Sequence, residues 1–297
     1  MKKRYFIFFL CIIIFLLIIS ACVMVFSSTN DDKTKDKVEE EIGYIEVKLL
    51  GMLNSLNNIP FSNSILLEQN SIKGQENGNA TSSTNSTSQD SQSSSGNSSE
   101  GSSSQNNKST DYTKYNVESK NILTLKENNI DWDYIKNTVE VLYSTWPTIM
   151  MDFHSINIKN EDILSFSNNL DALIVNIEKE DKRSTINSLA ILYSFIPLYR
   201  EQFSEDTDKT NIAYTKSYIV NAYVLLEDEK WDDMKTEISK AGEYFGIIIN
   251  SVNENRQQSS VSKTYVLINE MNNAIKLKDK KLFYLKYKNL MESAMSI

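Results

Sequence analysis

The chain is poor in the residues that usually carry chemistry. Its 297 residues include two Cys, one His, three Pro and eight Gly. A single His excludes His-rich metal sites and most His-based proton relays. So little Gly and Pro excludes a collagen-like or Pro-rich chain, and an apolar content of 40% excludes one that is disordered throughout. Basic residues number 31 against 39 acidic ones, a net charge of −8. That balance excludes nucleic acid as a general partner, because such binding needs a basic footprint to displace counterions. Metalloprotease helices, nucleophile elbows, P-loops and dinucleotide fingerprints are all missing. No metal, cofactor or catalytic residue is therefore expected.

The N-terminus carries the first positive signal. Met1-Lys2-Lys3-Arg4 is a basic head, and residues 5–26 follow without a charge. As a helix that run would measure about 33 Å, enough to cross a hydrocarbon core of about 30 Å. The basic head belongs on the cytoplasmic side, which puts the rest of the chain outside. Residues 1–28 are thus expected to anchor the body to the cell membrane on its extracytoplasmic face. Two forms of processing are open. Ile19-Ser20-Ala21-Cys22 resembles a bacterial lipobox, which implies cleavage of a signal peptide and lipidation of Cys22. Val23-Met24-Val25-Phe26 instead prolongs the apolar run, as in an uncleaved signal anchor. Both cysteines, Cys11 and Cys22, lie in this segment, so the exported part has no disulfide to staple it.

Beyond the anchor the composition changes three times. Residues 29–60 read as a charged stalk followed by an amphipathic helix. Val38, Ile42, Ile45, Leu49, Met52 and Leu56 recur at alternating steps of four and three, so they share one seam. Such a seam needs a cover: the distal bundle, a second copy, or, least suitably for a helix with so many acids, the membrane surface. Docking on the distal bundle is the expectation. Residues 71–111 form a Ser-rich linker, with 14 Ser among residues 80–110 and no apolar side chain larger than Ala there. Such a segment cannot offset its ordering entropy by burial and is expected to be disordered. Residues 112–297 show helical periodicity throughout and no hairpin-turn or alternating-strand signal. Helices are expected over 132–153, 161–179, 183–203, 210–226, 231–252, 261–277 and 280–295, with kinks at Pro147 and Pro197. The short polar links imply antiparallel neighbours, hence an all-α bundle. The stretch from Tyr218 to Ile249 resembles a tetratricopeptide hairpin, although Met234 stands where that unit wants a small residue.

Candidate chemistry in the bundle is sparse. His154 stands alone, near a helix end, with no carboxylate on its own face. Asp206-Thr207-Asp208 begins like a calcium loop, but Asn211 and Ser217 occupy the places of the turn Gly and the closing Glu. Glu227, Asp228, Glu229, Asp232 and Asp233 make a denser acidic corner, read as solvated. Thirteen of the 15 Tyr fall after residue 111, and a groove lined by them would suit peptide or glycan. Lys276, Lys278, Lys280, Lys281, Lys286 and Lys288 make the C-terminal region basic, able to face an anionic polymer or lipid.

Three phrases carry a resemblance: Gly51-Met52-Leu53-Asn54-Ser55-Leu56, Ile130-Asp131-Trp132-Asp133-Tyr134-Ile135 and Lys230-Trp231-Asp232-Asp233-Met234-Lys235. Behind an N-terminal anchor they resemble membrane-tethered, lipoprotein-like helical proteins of AT-rich Gram-positive bacteria. The resemblance implies export and an α-helical body; it brings no activity and no site residues. The expected function is a non-catalytic interaction or scaffold module at the cell envelope. It would be held to the membrane by its N-terminus and engaged with an envelope protein or polymer. A solute- or polymer-binding lipoprotein with a cleft between helices is the alternative, and a carboxylate-based enzyme a third.

Overall fold

The computed structural model describes residues 33–60, 122–124, 129–251 and 255–297. The expected anchor, with Cys22, and the Ser-rich stretch lie outside them. The described residues are helical with no strand, and none of their helices is long and apolar enough to cross a membrane. Helix α1 covers residues 33–55. After it come α2 (Trp132–Ser155), α3 (Asn160–Glu178), α4 (Lys182–Tyr193) and α5 (Phe195–Phe203). The series ends with α6 (Thr207–Leu226), α7 (Trp231–Ser251), α8 (Asn255–Leu277) and α9 (Lys280–Ala294). Helices packed on their neighbours in sequence make a bundle, with additional contacts between α4 and α6 and between α6 and α9.

Local chemistry sets the helix boundaries. Asp131, Asp181, Asp206 and Asp279 each accept a backbone N–H of the helix they precede, which satisfies donors that would otherwise be orphaned. The stops are less usual. Asn58, Asn157, Glu180, Glu229 and Lys278 hold φ between 53° and 62°, the left-handed region. After each, the next N–H reaches back five residues: Ile59 to Asn54, Ile158 to Phe153, Asp181 to Asn176, Lys230 to Leu225 and Asp279 to Ala274. These are glycine-type helix stops built without glycine. α2 continues through Pro147, where exposed Tyr143 leaves the orphaned carbonyl on the solvent side. Pro197 acts differently. The expected helix over 183–203 breaks at Ser194, because Pro197 has no N–H for the Tyr193 carbonyl and its ring crowds that oxygen. α5 then starts at Phe195, which puts Pro197 in a first turn, where no internal donor is needed. The stalk expectation also changes, since residues 33–37 already belong to α1.

α1 is not a separate arm; it belongs to the same core as the bundle. Val38, Ile42, Ile45, Leu49, Met52 and Leu56 are all at most 1% exposed, in one continuous cluster with residues of α2 to α9. Its neighbours give its direction. Lys37 meets Asp152, Tyr44 meets Thr145, and a Cβ on Gly51 would come 3.0 Å from Tyr134 Oη, so α1 runs antiparallel to α2. Glu39 meets Arg200, Glu46 meets Tyr193 and Asn57 meets Lys182, so it also opposes α4 and α5. Glu39 near Lys209, Glu46 on Lys216 and Asn57 on Tyr223 make it parallel to α6. Aromatic rings fill the space on either side. Trp146, Phe153, Phe166, Phe195 and Tyr199 interlock, with Trp146 edge-on to Phe153 at 5.8 Å and 88°. Tyr223, Phe283, Tyr284 and Tyr287 join α6 to α9.

The described segments on either side of residues 61–121 end at one corner of the body. Asn57 and the Tyr284 hydroxyl both bond Glu227 Oε1 at 3.2 Å, and Lys281, three residues before Tyr284, donates to the Leu123 carbonyl at 3.3 Å. Ile59 and Ile122 are both buried in the common core.

The left-handed stops make a direct prediction. Lys278 is exposed with φ 54°, a conformation that costs an L-residue about 1–2 kcal/mol. Lys278→Gly should therefore raise the unfolding free energy by up to about 1 kcal/mol, once the entropy that glycine adds to the unfolded chain is set against it. Urea unfolding followed by circular dichroism measures this; destabilisation would show that the stop does not carry that strain.

Candidate functional site

The densest polar chemistry in the body lies where α1 meets α4, α5 and α6. Glu46 stands in the apolar face of α1, flanked by Ile42, Ile45, Leu49 and Leu50, and is 4% exposed. Its carboxylate accepts the Tyr193 hydroxyl at 2.5 Å and pairs with Lys216 Nζ at 2.5 Å. Lys216 is buried in α6 between Ile212, Ala213, Ile219 and Val220, its neighbours three and four residues away. One heptad earlier on α1, Glu39 takes the Arg200 guanidinium, with Lys209 at 3.8 Å. At the other end Asn57 donates to Tyr223 Oη at 2.5 Å and to Glu227, and accepts Lys182 Nζ at 2.7 Å. α1 thus brings two carboxylates and an amide into a cradle lined by cations and tyrosines.

The electrostatics follow from the burial. Desolvation alone would raise the Glu46 carboxyl; Lys216 and Arg200, with the hydrogen bonds from Lys216 and Tyr193, outweigh it and hold Glu46 below the usual range. Desolvation pushes the Lys216 ammonium down, and Glu46 opposes this without cancelling it. Tyr193 and Tyr223 are raised well above 10, by burial first and then by Glu46 for Tyr193 and by Tyr284 for Tyr223. Both remain proton donors. The groups of this cluster are turned toward one another and tie α1 to α4, α5 and α6.

The structure spreads the other sequence candidates apart. Val38, Ile42, Ile45, Leu49, Met52 and Leu56 face the chain's own bundle. His154 is exposed in the last turn of α2. Asp206 caps α6, taking the N–H groups of Asp208 and Lys209. The acidic corner is less solvated than expected. Glu227 ties Asn57 to Tyr284, Asp228 pairs with Arg183, and Glu229 pairs with Lys280, while Asp232 and Asp233 face solvent. Of the C-terminal lysines, Lys286 pairs with Glu270 and Lys288 with Glu292. Among the described residues no group of three or more His, Cys, Asp or Glu could hold a metal ion. The tyrosines do not line one groove: Tyr193, Tyr199 and Tyr223 are in the core, and Tyr214 and Tyr244 stack at 4.7 Å on the α6–α7 surface.

Sequence reasoning missed Glu46, Lys216 and Arg200. The signal was available, for each is a charge set inside an apolar stripe. Two open clefts lie elsewhere among the described residues. One of about 270 Å³ lies at the start of α1, between Lys35, Asp36, Glu39 and the α5–α6 corner of Phe203, Glu205, Asp206 and Lys209. The other, of about 450 Å³, runs between α7 and α8 over Gly242, Gly246, Ile249, Asn250, Ser262, Tyr265 and Val266. No protein family, characterised protein or solved structure matches the chain.

Two predictions test the cluster. Removing one member of a buried pair strands the other in a dry interior, at a cost of about 3–5 kcal/mol. Lys216→Met alone should lose about that much unfolding free energy, and Glu46→Leu with Lys216→Met should recover most of it. A single-variant loss below about 1 kcal/mol would show that water reaches the pair. The second concerns alkali. Burial raises Tyr193, Tyr199, Tyr223 and Tyr287 above the ordinary value of 10. Above about pH 10 the unfolded chain loses these protons first, so the folded state binds more of them and stability falls as pH rises. Part of the tyrosinate absorbance should therefore appear only as helicity is lost. A complete rise in absorbance with helicity intact would contradict the burial.

Proposed function

We propose that this chain is a membrane-tethered, extracytoplasmic interaction or scaffold module of the cell envelope, without catalytic activity of its own. Residues 1–28 are its anchor, by lipid on Cys22 or as an uncleaved span, and a bacterial envelope of the Gram-positive kind is its setting. The observation that carries this reading is the position of α1. It follows the uncharged N-terminal run by a few residues and is at the same time the centre of the body's core. An anchor only six residues away in sequence from a buried helix would hold the body close to the bilayer. That arrangement suits a module that presents a surface to other envelope components. It suits a solute-binding lipoprotein less well, because the space among α2, α4, α5 and α6, where a cleft could lie, is taken by the side chains of α1. In this reading the consecutive helices serve as tetratricopeptide-like hairpins, with the anchor's own helix in the place of a bound one.

Cell fractionation and protease shaving test the reading. The full chain should sediment with membranes, and protease added to wall-stripped cells should remove the body. Complete protection of the body, or recovery of the chain in the cytosol, would overturn it. Cys22→Ala separates the two anchors: a lipidated protein loses its lipid label and keeps its signal segment, whereas a signal anchor is unchanged.

A further inference from the structure

Two surfaces of the body carry exposed apolar groups set among charges of opposite sign. The first is the outer face of the α2–α3 hairpin. Lys136 pairs with Glu180 at 2.6 Å and Trp146 Nε1 donates to Ser167 Oγ at 2.8 Å, so the two helices run antiparallel in a defined register. That register brings Tyr143 of α2 near the level of Val175 on α3, and Met151 near the level of Leu164. All four are between 44% and 73% exposed. The charge around them has one sign. Residues 137–178 contain Glu140, Asp152, Glu161, Asp162, Asp171 and Glu178 against only Lys159 and His154. Asp152 is taken by Lys37 of α1. Glu140, Glu161, Asp171 and Glu178 are exposed and make no ion pair among the described residues. Each stands three or four residues from one of the exposed apolar groups, on the same side of its helix.

The second surface is the turn between α8 and α9. Leu277 projects there, 68% exposed. Lys276, Lys278 and Lys281 surround it, exposed and without an ion pair among the described residues, while Lys280 pairs with Glu229 at 3.1 Å. Leu123, 60% exposed, lies beside them, its carbonyl accepting Lys281 Nζ at 3.3 Å. An anionic polymer would need the lysines alone. The two leucines call for a surface that is both acidic and apolar, and the α2–α3 face is one.

From this complementarity we infer that the α8–α9 turn of one copy of the chain docks on the α2–α3 face of another. Leu277 meets the apolar row of Tyr143, Met151, Leu164 and Val175, and the lysines meet the acids around it. Opposite charges at the rim steer the encounter and fix its register, and an exposed Met gives the apolar row an adaptable surface. Charge also excludes the two-fold alternatives. A symmetric contact sets a patch against its own copy, which would put acids on acids at α2–α3 and lysines on lysines at α8–α9. The contact is therefore head to tail. Each copy keeps one free face and one free turn, so repetition gives a ring or an open chain. Both patches belong to the described body, so the inference goes beyond the tethered reading and does not rest on it.

The test uses two forms of the full chain, made distinguishable by a tag and expressed together. One carries Val175→Cys and the other Leu277→Cys, both at exposed positions. A short bismaleimide is added to whichever cell fraction holds the chain, and the chain with only its native Cys11 and Cys22 sets the background. The expected product is a covalent dimer of the two different forms. Val175→Cys alone and Leu277→Cys alone should stay at background, since neither position meets its own counterpart. Asp171→Lys with Glu178→Lys on the first form should lower the mixed product about tenfold or more. Lys276→Glu with Lys278→Glu on the second form should then restore it. Restoration by a second set of changes separates lost docking from lost folding, and circular dichroism of each variant checks the fold directly. Absence of the mixed dimer, like-with-like products as abundant as the mixed one, or failure of the second reversal to restore it would each overturn the inference. A product of another mass in place of the mixed dimer would overturn it too, by naming a different occupant.

Discussion

The body depends on one insertion, α1 into the cradle formed by α2, α4, α5 and α6. Six apolar positions of α1 are removed from water there, and each buried Leu or Ile contributes about 1.5–3 kcal/mol. The cradle needs α1 as much as α1 needs the cradle. Without Glu39 and Glu46, Arg200 and Lys216 would be desolvated cations with no counter-charge, a state that proteins rarely tolerate. Residues 33–297 contain no cysteine, so this exchange of apolar area and paired charge does the work that cross-links do in disulfide-stapled domains.

The apolar seam and the polar pairs have different tasks. The seam repeats every seven residues, so by itself it would fit the cradle nearly as well if α1 slid by one heptad. The carboxylates do not fully forbid this, because Glu39 and Glu46 are seven apart and so are Lys209 and Lys216. Asn57 breaks the degeneracy. It serves Tyr223, Glu227 and Lys182 together, and the residue one heptad before it is Leu50, which can serve none of them. A buried polar residue that fixes register within a repeating apolar seam is a device known from coiled coils. Here it operates between a helix and the body of the same chain.

The helical class and nearly every helix of the described residues were legible in the sequence, because apolar spacing of three and four residues is a direct image of a buried helical face. The break at Ser194 was misplaced by three residues because proline acts backward on the preceding turn. The non-glycine stops at Glu180, Glu229 and Lys278 were not legible, since nothing local announces a left-handed Glu or Lys. The seam of α1 signalled that it needed a cover. The ionic cluster went unseen because charges were read as solvated wherever they stood, although Lys216 and Glu46 each interrupt an apolar stripe.

The shared corner where residues 60 and 122 enter the core has a consequence for the topology of the chain. Continuity between α1 and α2 is not what holds α1 in place; side-chain contacts on every flank do. The polypeptide is therefore a candidate for fragment complementation: a piece ending at residue 60 and another beginning near residue 122 carry between them every contact of α1 described above. The first piece would then act as a dock that recruits a freely diffusing body.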